Sequence, residues 1–185
     1  MVIGPVWHRT DIGQNMKINY QTAGVNIDMA EKSLTLIRPM IESTFNDNVV
    51  SNFGDFAGMY QLNTKMFRDP ILVTSTDGVG TKSIMVKEVF GDKGCINLGF
   101  DIVNHCVNDI LVKGAIPLFF LDYFASSVLK PEQLEYFVKG LSQACQDTKC
   151  VLIGGETAEM PDVYLPNQLD LSLIHISEPT RPSSI

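Results

Sequence analysis

Ile71-Leu-Val-Thr-Ser-Thr-Asp-Gly-Val-Gly-Thr-Lys-Ser83 is the stretch on which the reading of this chain turns. Its first residues, Ile71 to Thr74, form a short β-rich run after Pro70 and predict a strand over 71–76 that enters a core. The run then breaks into Thr76-Asp77-Gly78-Val79-Gly80-Thr81-Lys82, a turn holding one carboxylate, hydroxyls and one ammonium. Alternating glycines at 78 and 80 let backbone amides crowd an anion, and Lys82 supplies a point charge suited to phosphate. Asp77 beside such groups suits a divalent cation that bridges to phosphates. The same letters also describe a plain strand-to-helix turn whose Asp caps its own backbone. Both readings stay open from this stretch alone.

Two familiar phosphate motifs are excluded. A Walker A loop needs four residues between its first glycine and Gly-Lys, and here the sequence is Gly80-Thr81-Lys82. A dinucleotide fingerprint needs a third glycine three residues after Gly80, where Ser83 stands.

Working outward, 185 residues allow one well-packed domain, with room for an incomplete second. A hydrophobic fraction of 45% and a charged fraction of 19% belong to a soluble globular chain. The net charge of -7 argues against a nucleic-acid or anionic-membrane surface, but not against a nucleotide held by one local loop. No apolar run is long enough to span a membrane, and the N-terminus lacks the apolar segment of a secretory signal. Cys95, Cys106, Cys145 and Cys150 show no C-x-x-C pairing, so reduced thiols in the cytoplasm are expected and a zinc site is not.

Residues 1–18 read as an extended or poorly ordered lead-in, and Tyr20 to Val25 as a loop. Asn26 or Asp28 then caps a helix reaching about Asn46, with Ile27, Leu34, Ile37 and Ile41 on its apolar stripe and Pro39 kinking or interrupting it. Asn52 to Tyr60, with two glycines and two phenylalanines, is either a flap over a site, a bulged strand or an aromatic-anchored loop. Lys82 to Val89 is a helical turn or a second strand. The helix over Asn97–Lys113 segregates Asp101, Asn104, His105, Asn108 and Asp109 from Ile102, Val103, Cys106, Val107, Ile110 and Leu111. Short Asp, Asn and His side chains in one stripe suit a rigid ligand-facing wall.

Gly114 to Ala125 is nearly unbroken apolar sequence, which predicts a strand buried on both faces. Asp122 inside it must meet a metal, a donor or a cation. Pro131 opens a helix with Leu134, Phe137, Val138, Leu141 and Cys145 on one face. Cys150-Val-Leu-Ile-Gly-Gly-Glu-Thr-Ala-Glu-Met-Pro161 then repeats the opening pattern of strand, glycine turn, carboxylate and hydroxyl. Glu156 and Asp77 are expected at comparable strand ends, where with Asp109 they suit a magnesium clamp on phosphates.

Taken together, Tyr20 to Asp28, Asp77-Gly-Val-Gly-Thr-Lys82, Cys106-Val-Asn-Asp-Ile110, Gly114 to Ala125 and Gly154-Gly-Glu-Thr-Ala-Glu-Met-Pro161 resemble the AIR synthetases, the phosphoribosylformylglycinamidine cyclo-ligases of purine biosynthesis. The resemblance runs in order from about Met16 to Asp170. It implies an α/β (α+β) N-terminal domain, residues 19–170, whose mixed sheet is flanked by helices and pairs across a homodimer, with the second domain absent. It also implies an ATP-dependent closure of formylglycinamidine ribonucleotide to aminoimidazole ribonucleotide, with Mg²⁺, without nucleic-acid or membrane partners. Carried over by motif, Asp77, Asp109 and Glu156 take metal roles. Lys82 and Asp101 take catalytic ones. Asp77, Gly78, Gly80, Thr81, Lys82, Asn108, Gly154, Gly155 and Thr157 line the nucleotide. Phe53 to Gly58 corresponds to the family's glycine-rich flap, with Asp55 where glycine is more usual. No general base follows from these letters. A sister ATP enzyme, such as a selenophosphate synthetase or thiamine-phosphate kinase, and a nucleotide-binding or dimerising module without turnover are the alternatives. Beyond Asp170 the chain reads Leu171-Ser-Leu-Ile-His-Ile-Ser-Glu-Pro-Thr-Arg181-Pro-Ser-Ser-Ile, which looks like the translation of a sequencing adapter. Residues 171–185, His175 included, are therefore expected to be a non-native tail outside the fold.

Overall fold

A computed structural model describes residues 27–65, 70–161 and 163–179. The expected lead-in, the loop before Asn26 and the end of the tail lie outside them. Four helices and four strands follow one another as α1 (Ile27–Glu42), β1 (Val73–Gly78), α2 (Lys82–Phe90), α3 (Cys95–Leu111), β2 (Ala115–Ser126), α4 (Pro131–Asp147), β3 (Val151–Glu159) and β4 (Leu169–Pro179). A 3₁₀ turn, Gly91–Gly94, joins α2 to α3.

The sheet order is β1-β4-β2-β3. β4 runs antiparallel to both its neighbours, and β2 and β3 are parallel, so β1, β2 and β3 all point the same way. The parallel pair needs a crossover, which α4 supplies. This is the mixed sheet flanked by helices that the sequence predicts, with two corrections. β1 is an edge strand starting at Val73, and Ile71 and Leu72 stay exposed rather than entering a core. β2 is buried on one face only. Phe120 and Phe124 sit in the core, whereas Ile116 is exposed and Phe119, Leu121 and Tyr123 are half-buried on the opposite face. Alternation along the strand, hidden by uniformly apolar letters, decides this.

Part of the tail takes a place in the sheet. Leu169–Pro179 lies between β1 and β2, so the fold does not stop at Asp170. Leu171 and Leu173 are fully buried. The alternation of Leu171, Leu173, His175 and Ser177 against Ser172, Ile174 and Ile176 is what a strand covered on one face requires. His175 fits poorly. It is fully buried and stacked on Phe120 at 4.2 Å between centroids, and neither ring nitrogen has a hydrogen-bond partner.

The core lies between the sheet and the pair α3 and α4, with α1 packed against α4 and β3. α1 ends at Glu42, short of Asn46, and carries Pro39 within it; Ile37 and Ile41 are buried while Leu34 is exposed. Among the stripe residues of α3, Leu111 is exposed and the rest are buried as expected. α3 and α4 touch backbone to backbone. A Cβ at Gly99 would run into the Phe137 carbonyl, and one at Gly140 into the Ile96 carbonyl. α4 ends with Lys149 in the left-handed region (φ 57) and Cys150 N–H donating to Cys145 O at 2.9 Å, a Schellman closure. All four cysteines are buried and unpaired, and burial pushes the Cys95 thiol up to about 11 and the Cys106 thiol to about 12. No helix among the described residues is long and apolar enough to cross a membrane.

Two stability outcomes follow. In a free helix Gly140→Ala would stabilise by about 1 kcal/mol; here the backbone clash reverses the sign, and urea unfolding should show a loss of about 3 kcal/mol. His175→Leu should stabilise by about 1–2 kcal/mol at neutral pH by removing unpaired buried nitrogens. Burial lowers the His175 pKa from 6.5 to about 4, so the unfolded chain binds the proton more readily. Stability conferred by the neutral ring is then lost as pH falls from 6.5 towards 4, by roughly 3 kcal/mol in all, and His175→Leu should flatten that slope.

Candidate functional site

The end of β1, the start of α2 and one face of α3 meet at a single charged cluster. Val79 is buried and its N–H donates to Leu171 O at 2.9 Å, which pins the loop to the sheet. Asp77 Oδ1 accepts from the Gly78 N–H at 2.7 Å, so the self-capping turn is real. With the Gly78 and Val79 amides committed, an anion at this loop has the following residues and the Lys82 side chain to meet. Gly80 sits at φ +63 with nothing near its missing side chain, so glycine is needed there for conformation rather than for space. Ser83 Oγ donates to Gly80 O at 2.9 Å and ties the turn to α2.

Lys82 Nζ lies 2.9 Å from Asp101 Oδ2 and 3.2 Å from His105 Nε2. His105 Nδ1 lies 3.7 Å from Asp77 Oδ2. One strand step back, Ser75 Oγ donates to Asp109 Oδ2 at 3.0 Å. Asp101, His105 and Asp109 are spaced at i, i+4 and i+8, so one face of α3 delivers all three to the end of β1. The Lys82 and Asp101 side chains are 40% and 43% exposed, which leaves this pair little to add to stability. Its effect is to place an ammonium. Asn104 Nδ2 is turned back to Phe100 O, and Asn108, seven residues after Asp101 on the same face of the helix, is exposed.

The second expected group stands apart. Gly78, Ser172, Tyr123 and Glu156 occupy one row across the sheet, so Glu156 is level with the end of β1 but three strands away, about 14 Å at the usual strand spacing. Alternation puts Glu156 on the face opposite α3, where it lines a cavity of about 710 Å³ with Thr76, Tyr123, Ile174 and the flap residues Asp55 and Phe56. Asp77 and Asp109 therefore share a neighbourhood, and Glu156 does not join them. Gly154, Gly155 and Thr157 also remain with β3. No group of three His, Cys, Asp or Glu side chains among the described residues is arranged to hold a metal. Two carboxylates are compatible with Mg²⁺, which commonly takes its other ligands from water and phosphate.

The flap is a loop closed at its base by the Val49–Tyr60 bridge. Phe53 sits under Arg38 at 4.9 Å, Asp55 Oδ2 accepts from the Asn52 N–H, and Phe56 is fully exposed. Asp122, the odd carboxylate of β2, is half-buried against β3. Burial, with a smaller push from the charge of Glu156, raises its pKa from 3.8 to about 7. Its carboxylate leans over Gly155, which explains the second glycine of that pair. Sequence reasoning gave His105 no role of its own. The available signal was its i+4 spacing from Asp101, but contact with Lys82 depends on how α2 and α3 pack.

Comparison with known proteins gives a family and a fold. The family described as AIR synthase related protein, N-terminal domain, matches residues 54–175. A phosphoribosylformylglycinamidine cyclo-ligase of Thermodesulfovibrio yellowstonii is 45% identical over 157 residues, which is 85% of this chain and 45% of that protein. The chain thus spans less than half the length of the curated relatives it matches. A thiamine-monophosphate kinase from Stenotrophomonas maltophilia shares the fold with a TM-score of 0.60 at 20% identity, covering 80% of this chain and 42% of that one. The hydrogenase maturation protein HypE, in a structure described as a complex with ATP, aligns with a TM-score of 0.50 at 22% identity over 80% of this chain and 38% of its own.

Gly155→Ala should destabilise the chain by about 2–3 kcal/mol in urea unfolding, because the new methyl meets the Asp122 carboxylate and carbonyl. Adding Asp122→Ala should recover part of the loss, since only the carboxylate half of the clash is relieved. A neutral Gly155→Ala would remove the steric reading.

Proposed function

The chain belongs to the family of AIR synthase related proteins through its N-terminal domain, and from that premise we propose that it is the ATP-binding half of a phosphoribosylformylglycinamidine cyclo-ligase. The observation that carries this reading is the 45% identity over 157 residues to a protein of that name. The kinase and HypE, at 20% and 22%, share the fold alone, which weighs against a sister ATP enzyme such as a selenophosphate synthetase.

In this reading the parent enzyme transfers the γ-phosphoryl of ATP to the formamide oxygen of formylglycinamidine ribonucleotide. The oxygen thereby becomes a leaving group. An amidine nitrogen attacks the same carbon, phosphate departs, and the imidazole of aminoimidazole ribonucleotide closes. Lys82 neutralises phosphate oxygens while Asp101 fixes where its ammonium points. Asp77 and Asp109 are the residues that would hold Mg²⁺, whose contribution is to offset charge on the phosphates. Gly78, Gly80, Thr81 and Asn108 border the nucleotide. Glu156, Gly154, Gly155 and Thr157 belong to the wall formed by β3, across the sheet from that cluster.

The open sheet face bearing Phe119, Leu121, Ile174 and Ile176 supports pairing of two copies, as a homodimer in the cytoplasm. In this proposal the matched domain is a nucleotide-binding and dimerising module, and turnover belongs to the whole enzyme. Residues 171–185 remain, in this proposal, a non-native tail, and the unpartnered His175 supports that.

The full-length parent should convert formylglycinamidine ribonucleotide and Mg-ATP to aminoimidazole ribonucleotide, and Lys82→Ala should lower kcat/KM by about 10²–10³-fold. No product from the unaltered parent would end the cyclo-ligase reading. Calorimetry with Mg-ATP and sedimentation of the 185-residue chain test the module: turnover by it, or neither binding nor dimerisation, would overturn that part.

A further inference from the structure

Asp77 at the end of β1 and Lys82 at the start of α2 are opposite charges five residues apart, and a direct ion pair between them would occupy both. An imidazole stands between them. His105 offers Nε2 to the Lys82 ammonium at 3.2 Å and turns Nδ1 to Asp77 Oδ2 at 3.7 Å. An ammonium has only hydrogens to give, so the nitrogen facing it must present a lone pair. The ring proton then resides on Nδ1. That atom is shut off from solvent and has no hydrogen-bond partner, although its side chain as a whole is 41% exposed. The carboxylate it faces lies just beyond hydrogen-bond range.

We propose that His105 is a positioning residue of this site, a spacer whose ring, as the Nδ1–H tautomer, keeps Lys82 and Asp77 from neutralising each other. The inference rests on the reading of Lys82 as a phosphate contact and Asp77 as a cation contact. Its parts are rigid. His105 is followed on α3 by the buried Cys106 and Val107, which fix the helix against the core. One turn earlier, Asp101 takes a second hydrogen of the ammonium at 2.9 Å, which leaves the third for a ligand. One turn later, the Ser75–Asp109 bond holds β1 at a set distance from the same helix face. A leucine at 105 would keep the bulk but give Lys82 no acceptor, so the lysine would be free to fold onto the Asp77 carboxylate.

The tautomer is read from the ¹⁵N shifts of the His105 ring in the 185-residue chain, with His105→Asn assigning the signals. A protonated Nδ1 and a bare Nε2 are expected, and the opposite tautomer overturns the proposal. Binding of ADP in metal-free buffer, measured by calorimetry, is the second arm. His105→Leu should weaken ADP by about tenfold, and in a Lys82→Ala background the same change should have no further effect. Equal losses in both backgrounds would mean that the leucine merely loosens the structure, and the proposal falls. An unchanged affinity in His105→Leu with an intact fold also overturns it. Should the unaltered chain bind no ADP, the phosphate reading of Lys82 fails, and the tautomer alone decides the role of His105.

Discussion

The contact on which this structure depends is the bare approach of Gly99 on α3 to the α4 backbone, matched by Gly140 of α4 against Ile96. Two side-chain-free surfaces let the helices lie against each other and against one face of the sheet at once. That depth brings the polar side of α3 level with the end of β1. Any residue larger than glycine would part the helices and move Asp101, His105 and Asp109 away from Lys82 and Asp77. Packing in the core and geometry in the charged cluster are therefore one problem, solved by two missing side chains.

The cluster itself does not hold the fold together. Its ion pairs are half-exposed, where such contacts contribute little, and the stabilising weight lies with Phe120, Phe124, Phe137 and the aliphatic residues around them. The arrangement of charge has a different consequence. A lysine is held there by a carboxylate and an imidazole, beside a second carboxylate. On the other side of the sheet, the β3 carboxylate Glu156 faces a cavity bounded by the flap and the apolar side of β4. The two sites back onto the same strands without merging.

β4 is the least secure part of the design. It lies between β1 and β2, yet it carries a buried histidine with no partner for either nitrogen. Leucines at 171 and 173 meet the demand of the core, and His175 does not. The strand position is fixed by the open edges of its neighbours, which would otherwise leave unpaired backbone groups. The residues filling it satisfy hydrogen bonding along the backbone better than they satisfy packing.

Much of this was legible in the sequence. The helices at 95–111 and 131–147 announced themselves through 3.6-residue periodicity, and the strand at 151–159 through its apolar run before Gly154. Local chemistry and the family resemblance single out Asp77, Lys82, Asp101 and Asp109, and the structure brings their side chains to one cluster. The letters could not tell which face of β2 is covered, because an unbroken apolar run looks the same whether one face packs or two. Nor could they separate Asp77 from Glu156, since level in the sheet is set by the strand itself, but side and distance are set by strand order. The role of His105 was invisible for the same reason. Its neighbours on the helix follow from spacing, whereas the lysine it touches comes from another helix, and only tertiary packing decides which side chains from separate elements share a few ångströms.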